Sequence, residues 1–511
     1  MAVGRTRAVT MLGLDGALVD IEADVAAGLP AFAIIGLPDA ALAQSKDRVR
    51  AAAVNSGIPL GHHRITVGLS PASLPKHGSA FDLGIALAVL AADGEVRAES
   101  IARVVHLGEL GLDGRVRPVS GVLPAVAAAA RAGCDTVMVP SANADEASLV
   151  PGIRVVGVAS LREAAIWHGS DVEAEHVEPV TVAVAADRPA AVPDLADVIG
   201  NEDAIDAMIV AAAGGHHAFL LGPPGAGKTM LASRLPGLLP PLSPEAALEV
   251  GSIRSLAGLP VGATLDTRPP FEQPHHTASA VALIGGGSGV IRPGAAARAS
   301  RGVLFLDEAP EFSAVALDAL RQPLESGTIT IHRAKAVAHY PGAFQLVMAA
   351  NPCPCGQWGA KDSECTCTPF ARRRYLARLS GPLLDRVDIQ LRVARITSAQ
   401  LAVSSDAPRL DSATARARVI AARDAAADRL RGTPWSINSA VPGSWFRAPG
   451  RRLAATTTAS IDRALERGGI TMRGYDRILR VAWTIADLEG APTPTAEHVG
   501  RALYLRKAIG S

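Results

Sequence analysis

Hydrophobic and polar positions alternate along this chain in rhythms that change with position. From residue 1 to about 170, short apolar runs such as Ile65-Thr-Val-Gly-Leu-Ser70, Phe81 to Leu90, Val104-Val-His-Leu-Gly108 and Val137-Met-Val-Pro140 alternate with helical patterns such as Val122 to Ala132. That mixture predicts an α/β domain with mixed strands. Between Asp171 and Val192 the pattern dissolves into prolines without a sustained period, which predicts a linker. From 193 to 394 the apolar runs become continuous: Ala218-Phe-Leu-Leu221, Val303-Leu-Phe-Leu306 and Phe344 to Ala350. Continuous runs of this length suit parallel strands buried on both faces. A helix of small apolar residues, Ala204 to Ala213, precedes them. From 395 to 511 the period is helical. Tyr475, Ile478, Leu479, Ala482, Ile485 and Ala486 form one stripe, with Arg473, Arg477 and Arg480 off it. Ala413 to Arg431 reads as an arginine-rich helix with a mostly solvated face, and Thr495-Ala-Glu-His498 opens a final helix.

Composition narrows this picture. The 511 residues allow about two to four domains, and 49% hydrophobic residues is ample for large cores. Fifty basic and 49 acidic side chains leave a formal charge of +1, so any nucleic-acid contact must be local rather than global. The apolar window from Phe81 to Ala92 is too short to span a bilayer. No apolar segment follows Met1-Ala-Val-Gly-Arg before Asp15, so the expected location is cytoplasmic, away from membranes. Four of the five cysteines lie between 353 and 367, too clustered for a disulfide framework.

The first candidate chemistry lies directly after the apolar run ending at Leu221. Gly222-Pro223-Pro224-Gly225-Ala226-Gly227-Lys228-Thr229 matches G-x-x-x-x-G-K-[ST] completely and leads into a helical pattern. Small residues let backbone N–H groups close on phosphate oxygens and the helix start adds its dipole. Lys228 reaches the terminal phosphates, and Thr229 supplies a ligand for Mg2+. Downstream, Val303 to Leu306 ends in Asp307-Glu308, a strand delivering carboxylates to the metal shell. Asp307 is expected to hold the Mg2+-bound water and Glu308 to orient or deprotonate the attacking water. A third apolar run ends in Asn351-Pro352, whose amide can position that water, and Ser380 to Asp388 places Arg386 beside Asp385 and Asp388.

In this order the phosphate loop, the Leu-Asp-Glu strand, the Ala-Asn-Pro strand and Leu-Leu-Asp-Arg resemble an AAA+ ATPase of the branch that holds magnesium chelatase and the MCM helicases. Ala211 to His216, Arg321-Gln-Pro-Leu-Glu325, Asn351 to Gly356 and Ser380 to Asp388 narrow the resemblance to the magnesium-chelatase-like competence ATPases, the ComM or YifB family. The resemblance covers essentially the whole chain. It implies a homo-oligomeric ring, a hexamer, with ATP between subunits. Asn351 then serves as sensor 1, Arg386 as the finger offered to a neighbour's nucleotide, and Arg473 as the sensor 2 arginine of a small helical lid. The front domain resembles the S5-type proteolytic domain of Lon-type proteases, on His106 to Pro140 and Pro75 to Ala80. Its chemistry does not carry over, because Ala80 stands where that family has its serine and Pro124 where it has its lysine. A Ser–Lys dyad needs both groups within hydrogen-bond reach. Ser79 and Lys76 remain nearby, but a non-catalytic assembly domain is the expectation.

Three further features bear on function. Cys353, Cys355, Cys365 and Cys367 can close a tetrahedral Zn2+ site or can be free thiols packed in the core. Gly327 to Pro341 alternates with a period of two and returns, predicting a hairpin with Arg333 and Lys335 near its tip. It resembles the pre-sensor hairpin of MCM-type rings, which implies a collar of positive charge tracking single-stranded or branched DNA without reading bases. The insert between phosphate loop and Asp307 departs from the family's Pro-Phe-Arg-x-Pro-His-His at Glu272 and from its Pro-Gly-Glu at Ala295, and the adjacent His275 and His276 are expected to be structural. The function expected is an ATP-driven DNA motor, a branch-migration helicase acting during DNA uptake and recombination. The alternatives are a metal-insertion ATPase, disfavoured because the front domain and cysteine loop resemble nothing in the magnesium chelatase subunit, and an ATP-dependent protease or scaffold.

Overall fold

The computed structural model describes residues 3–61, 63–180, 193–287, 291–333, 336–358, 365–396 and 409–507. Its front part is built on seven strands: β1 (Gly4–Leu12), β2 (Asp15–Ala26), β3 (Ala31–Ile35), β4 (Arg64–Ser70), β5 (Val104–His106), β6 (Thr136–Pro140) and β7 (Arg154–Val158). They lie in the order β3-β4-β2-β1-β5-β6-β7, antiparallel where β2 meets β1 and β4 and parallel elsewhere. The mixed sheet agrees with the sequence reading. The neighbours Ala8 and Val9 of β1 fall in two different apolar clusters, as opposite faces of one sheet require. Helix α1 (Asp82–Asp93) supplies the run from Phe81, buried from Asp82 to Ala91 and stopped by Gly94 in the left-handed region at φ +89. Helix α2 (Val122–Arg131) belongs to the other cluster.

A second sheet follows, built from β8 (Ala218–Leu221), β9 (Phe271–Glu272), β10 (Val303–Leu306), β13 (Gln345–Ala350) and β14 (Ile389–Arg392) in the order β9-β10-β13-β8-β14. Between β10 and β13 stands a separate antiparallel hairpin, β11 (Thr328–Arg333) and β12 (Ala336–Pro341). Every pair in the five-stranded sheet is parallel, and β8, β10 and β13 are buried at every position. Continuous apolar runs therefore did mark strands covered on both faces. Around the sheet lie α3 (Glu202–Gly214), α4 (Lys228–Leu238) and α5 (Pro244–Leu256). Four further helices follow: α6 (Ser412–Arg429), α7 (Ala455–Glu466), α8 (Met472–Leu488) and α9 (Ala496–Lys507).

These parts touch directly. One apolar cluster unites Met208 and Leu220 with Val419, Ile478 and Val499, so the terminal helices share a core with the parallel sheet. His216, buried, joins them by polar contacts: Nδ1 lies 3.2 Å from Asp388 and Nε2 2.8 Å from Thr484 on α8. Two backbone hydrogen bonds, among others, join the front domain to the second domain. The Gly121 N–H donates to the Ser255 carbonyl at 3.1 Å, and the Leu14 N–H donates to the His339 carbonyl at 3.2 Å.

Candidate active site

Because β8, β10 and β13 run parallel, their carboxyl ends arrive together at one edge of the sheet. The turn after β8 places Gly225 and Gly227 at φ +75 and +86, conformations that side-chain-bearing residues rarely adopt. Those turns aim the start of α4 at a cavity of about 400 Å3 lined by Pro224 to Met230, Asp307, Glu308, Ala350 and Asn351. Gly222 and Pro223 stand behind it, their carbonyls accepting from Lys228 Nζ at 2.6 and 3.0 Å, while Asn351 Oδ1 accepts at 3.1 Å. Burial lowers the Lys228 pKa and the carboxylates of Asp307 and Glu308 work against that shift. A buried ammonium with neutral partners at the head of a helix is arranged to receive an anion. At the mouth, the Thr229 hydroxyl donates to Asp307 Oδ2 at 2.7 Å. These two hard oxygens fit the octahedral, oxygen-rich shell of Mg2+. Glu308 follows at φ +51, a left-handed conformation unusual for glutamate and typical of strain kept at functional sites.

One partner of Glu308 was not visible as such in the sequence. His276 Nδ1 lies 3.4 Å from Glu308 Oε2. Strand β9 pairs with β10 in register Glu272 to Leu304, so the chain leaving β9 runs beside the end of β10 and carries His276 level with Glu308. The insert thus reaches the Glu308 carboxylate at the edge of the cavity. Glu272, where the insert departs from the family pattern, forms an ion pair with Arg298 at 2.8 Å.

The arginines divide into two groups. Arg477 and Arg480, off the apolar stripe and so positioned to face solvent, turn inward instead: Arg477 Nη1 donates to buried Asp388 at 2.5 Å and Arg480 Nε to the Val441 carbonyl at 2.7 Å. Burial acts to raise the Asp388 pKa, but Arg477 and His216 outweigh it and hold this carboxyl well below the usual range. Arg423 on α6 also turns inward, donating to the Ala212 carbonyl, and its burial pushes the pKa down to about 10. Arg386 pairs with Glu325, and its pKa is lowered by burial and by Arg321, Arg473 and Arg477. Arg473 is exposed, and neither it nor Arg386 lines the cavity.

The hairpin forms as its alternation predicts, with Ile329, Ile331, Ala338 and Tyr340 buried and Arg333 exposed opposite Ala336. Lys335 lies outside the described residues. In the front domain, Lys76 is buried and donates to the carbonyls of Leu69 and Pro71, while the Ser79 hydroxyl donates to Glu109. The two are engaged elsewhere and do not form a dyad. The four clustered cysteines converge, with all sulfurs within 4.8 Å of one another.

Comparison with known proteins bears on the whole chain. Family models described as magnesium chelatase, subunit ChlI, and as its C-terminal part match residues 194–401 and 409–506. A third, described as subunit ChlI of Mg-chelatase, matches residues 21–143. That match removes the objection that the front domain shares nothing with the chelatase subunit. An uncharacterized protein of Mycobacterium tuberculosis is 50% identical over 509 residues, 99% of each chain. The protein YifB of Escherichia coli is 37% identical over 510 residues, 99% of this chain and 97% of that one. The competence protein ComM of Haemophilus influenzae is 38% identical over 505 residues, covering 98% and 96%. A partial match, 31% identity over 156 residues and 29% of this chain, is to a Lon protease of Mycolicibacterium smegmatis.

Proposed function

The chain belongs to the magnesium-chelatase-like ComM/YifB family of AAA+ ATPases, and we propose that it is a ring-forming, ATP-driven DNA motor, a branch-migration helicase acting on recombination intermediates. In this reading residues 1–170 are a non-catalytic, Lon-like assembly domain, 171–192 a linker, 193–394 the ATPase core and 395–511 its lid. ATP is the substrate of the cavity at the phosphate loop. Backbone N–H groups of Gly225 to Lys228 hold its phosphates, with Lys228 on the terminal ones. Thr229 and Asp307 would hold Mg2+, whose charge would offset that of the transferring phosphoryl group. Glu308 takes a proton from the attacking water and Asn351 fixes that water in line. Arg386 and Arg473, outside their own cavity, act on the nucleotide of a neighbour, which calls for a homo-oligomer and, by family likeness, a cytoplasmic hexamer. Among the described residues no helix is long and apolar enough to cross a membrane.

The observation that carries the DNA reading is the Arg333 hairpin. It exposes a cation at its tip while four apolar side chains pin it to the ATPase core, so nucleotide-driven movement of the core transmits to the tip. Single-stranded or branched DNA should raise ATP turnover. Replacing Arg333 and Lys335 by alanine should leave basal turnover and assembly intact, abolish that stimulation and flatten the salt dependence of DNA binding. A parental response to DNA in the double variant would remove the hairpin from the mechanism. The second reading, a metal-insertion ATPase, draws on the chelatase descriptions of the matching families. Stimulation by a porphyrin-loaded partner and not by any DNA would favour it.

A further inference from the structure

Cys353 and Cys355 lie in the turn leaving β13, and Cys365 and Cys367 immediately precede the helix Pro369–Leu376. Their sulfurs are separated by 3.3 Å between Cys353 and Cys355, 3.8 Å between Cys353 and Cys365, and 3.7 Å between Cys355 and Cys365. A tetrahedral ion with Zn–S bonds of about 2.3 Å would hold its sulfurs ~3.8 Å apart. Four soft donors at that spacing suit zinc and exclude the oxygen-seeking Mg2+ of the neighbouring site. The Trp358 N–H also points at Cys353 Sγ at 3.4 Å, the kind of backbone donor that stabilises a metal-bound thiolate.

The place of this centre matters more than its existence. Cys353 follows Asn351 by two residues, and its turn closes with the Gly356 N–H on the Cys353 carbonyl at 2.9 Å. Gly356 sits at φ +79 against the phosphate loop: a Cβ there would lie 2.6 Å from the Pro224 ring and 3.9 Å from Asn351. The cysteine turn therefore packs closely on Pro224 and starts two residues after Asn351, the residue that accepts from Lys228. We propose that one Zn2+ bound by Cys353, Cys355, Cys365 and Cys367 clamps this turn against the phosphate loop, and that metal occupancy sets whether Asn351 and Lys228 are aligned for ATP turnover. The proposal rests on the cavity being the ATP site and is independent of DNA.

The test uses the full chain purified without added metal, with elemental analysis, binding of a fluorescent ATP analogue, and basal turnover without DNA. One zinc per chain is expected. Replacing Cys365 and Cys367 together by serine should remove it and lower turnover about 10- to 100-fold, with weakened analogue binding and an unchanged far-UV spectrum. Gly356→Ala should keep the zinc yet lower turnover, because its Cβ forces the turn off Pro224. This second variant separates the clamp from metal binding as such and does not depend on the serine variant folding. Absence of zinc, iron in its place, parental turnover by a zinc-free variant, or parental turnover by Gly356→Ala would each overturn the proposal. Failure of DNA to stimulate the parent would instead count against the motor reading and leave this result standing.

Discussion

Among the described residues two lysines are buried, one in each α/β domain, and their surroundings differ. Lys76 of the front domain and Lys228 of the ATPase core both point Nζ at backbone carbonyls, Leu69 and Pro71 for one, Gly222 and Pro223 for the other. Burial lowers the pKa of both. Only Lys228 has the Asp307 and Glu308 carboxylates near enough to oppose that shift, and only Lys228 lines a cavity at the head of a helix. The comparison teaches that a buried cation is not a catalytic signature in itself. What distinguishes the two is the empty space and the counter-charge beside it, and both are consequences of parallel strands ending together.

Removing each lysine should have very different consequences. Lys228→Ala should abolish nucleotide binding and turnover, and Glu308→Gln should bind ATP without turning it over. Lys76→Met should leave turnover per folded molecule unchanged and cost about 1–3 kcal/mol of stability through the hydrogen bonds lost to the Leu69 and Pro71 carbonyls. Denaturant unfolding and steady-state hydrolysis measure both. ATP-dependent degradation of casein that Ser79→Ala abolishes would show instead that the front domain keeps peptidase chemistry.

The next effect concerns arginine supply. Arg386→Ala should bind ATP and hydrolyse it roughly 10³-fold more slowly, as expected for a finger acting on a neighbour's phosphoryl group. Mixed with Lys228→Ala subunits, it should recover activity above either variant alone, since a ring can then combine an intact cavity with an intact finger. No recovery in mixed rings would place the arginine's action within its own subunit.

The domains should also differ in their response to acid. In the front domain buried Thr6, His106 and His168 form a chain that ends on half-buried Ser100, with 2.7 Å from Thr6 to His106, 2.9 Å between the imidazoles and 2.8 Å from His168 to Ser100. Burial holds His106 well below 6.5, helped by His168, and pushes His168 down to about 4. Folded histidines that resist protonation contribute stability fully present above the unfolded value of 6.5 and lost as pH falls toward 4. The slope approaches 1.4 kcal/mol per pH unit for each histidine that is neutral when folded and charged when unfolded. Replacing both by glutamine should flatten that slope in unfolding midpoints measured from pH 7 to 4. The half-buried His217 of the core, itself pushed to about 4, stays in place and keeps part of the slope, joined near pH 4 by carboxyls held low such as Asp388.

Local features were legible in the sequence and distant pairings were not. The phosphate loop, Asp307-Glu308 and Asn351 are each contiguous with a strand, so periodicity and motif placed them together. The alternation of Val19, Ile21, Ala23 and Val25 with Asp20, Glu22 and Asp24 could have revealed β2, the longest strand, yet β1 to β3 entered no expectation. Arg477 and Arg480 looked solvated because their partners, Asp388 and Val441, are far away along the chain. His276 meets Glu308 only through the register of β9 on β10, which no spacing in the sequence encodes.

The smallest effect tests where the two regions meet. The turn between β1 and β2 lies against the β11–β12 hairpin: Gly13 forms a parallel bridge with His339, the Leu14 N–H donates to the His339 carbonyl, and Leu14 and Met11 pack on the cluster containing Ile331 and Tyr340. His339 also meets Thr330 across the hairpin at 3.2 Å. Gly13 is at φ +68, and a Cβ there would lie 2.4 Å from the His339 carbonyl oxygen. Gly13→Val must therefore push the turn off the hairpin while touching nothing in the ATP cavity. One lost backbone hydrogen bond is worth about 1 kcal/mol, which converts to roughly a fivefold change in an equilibrium that the contact biases. Basal ATP turnover should stay at the parental level and its stimulation by single-stranded DNA should fall by about that factor. A front domain that only assembles rings, without steadying the hairpin, would leave the stimulation unchanged. The same variant would then show that the two α/β domains share a surface but no mechanical connection.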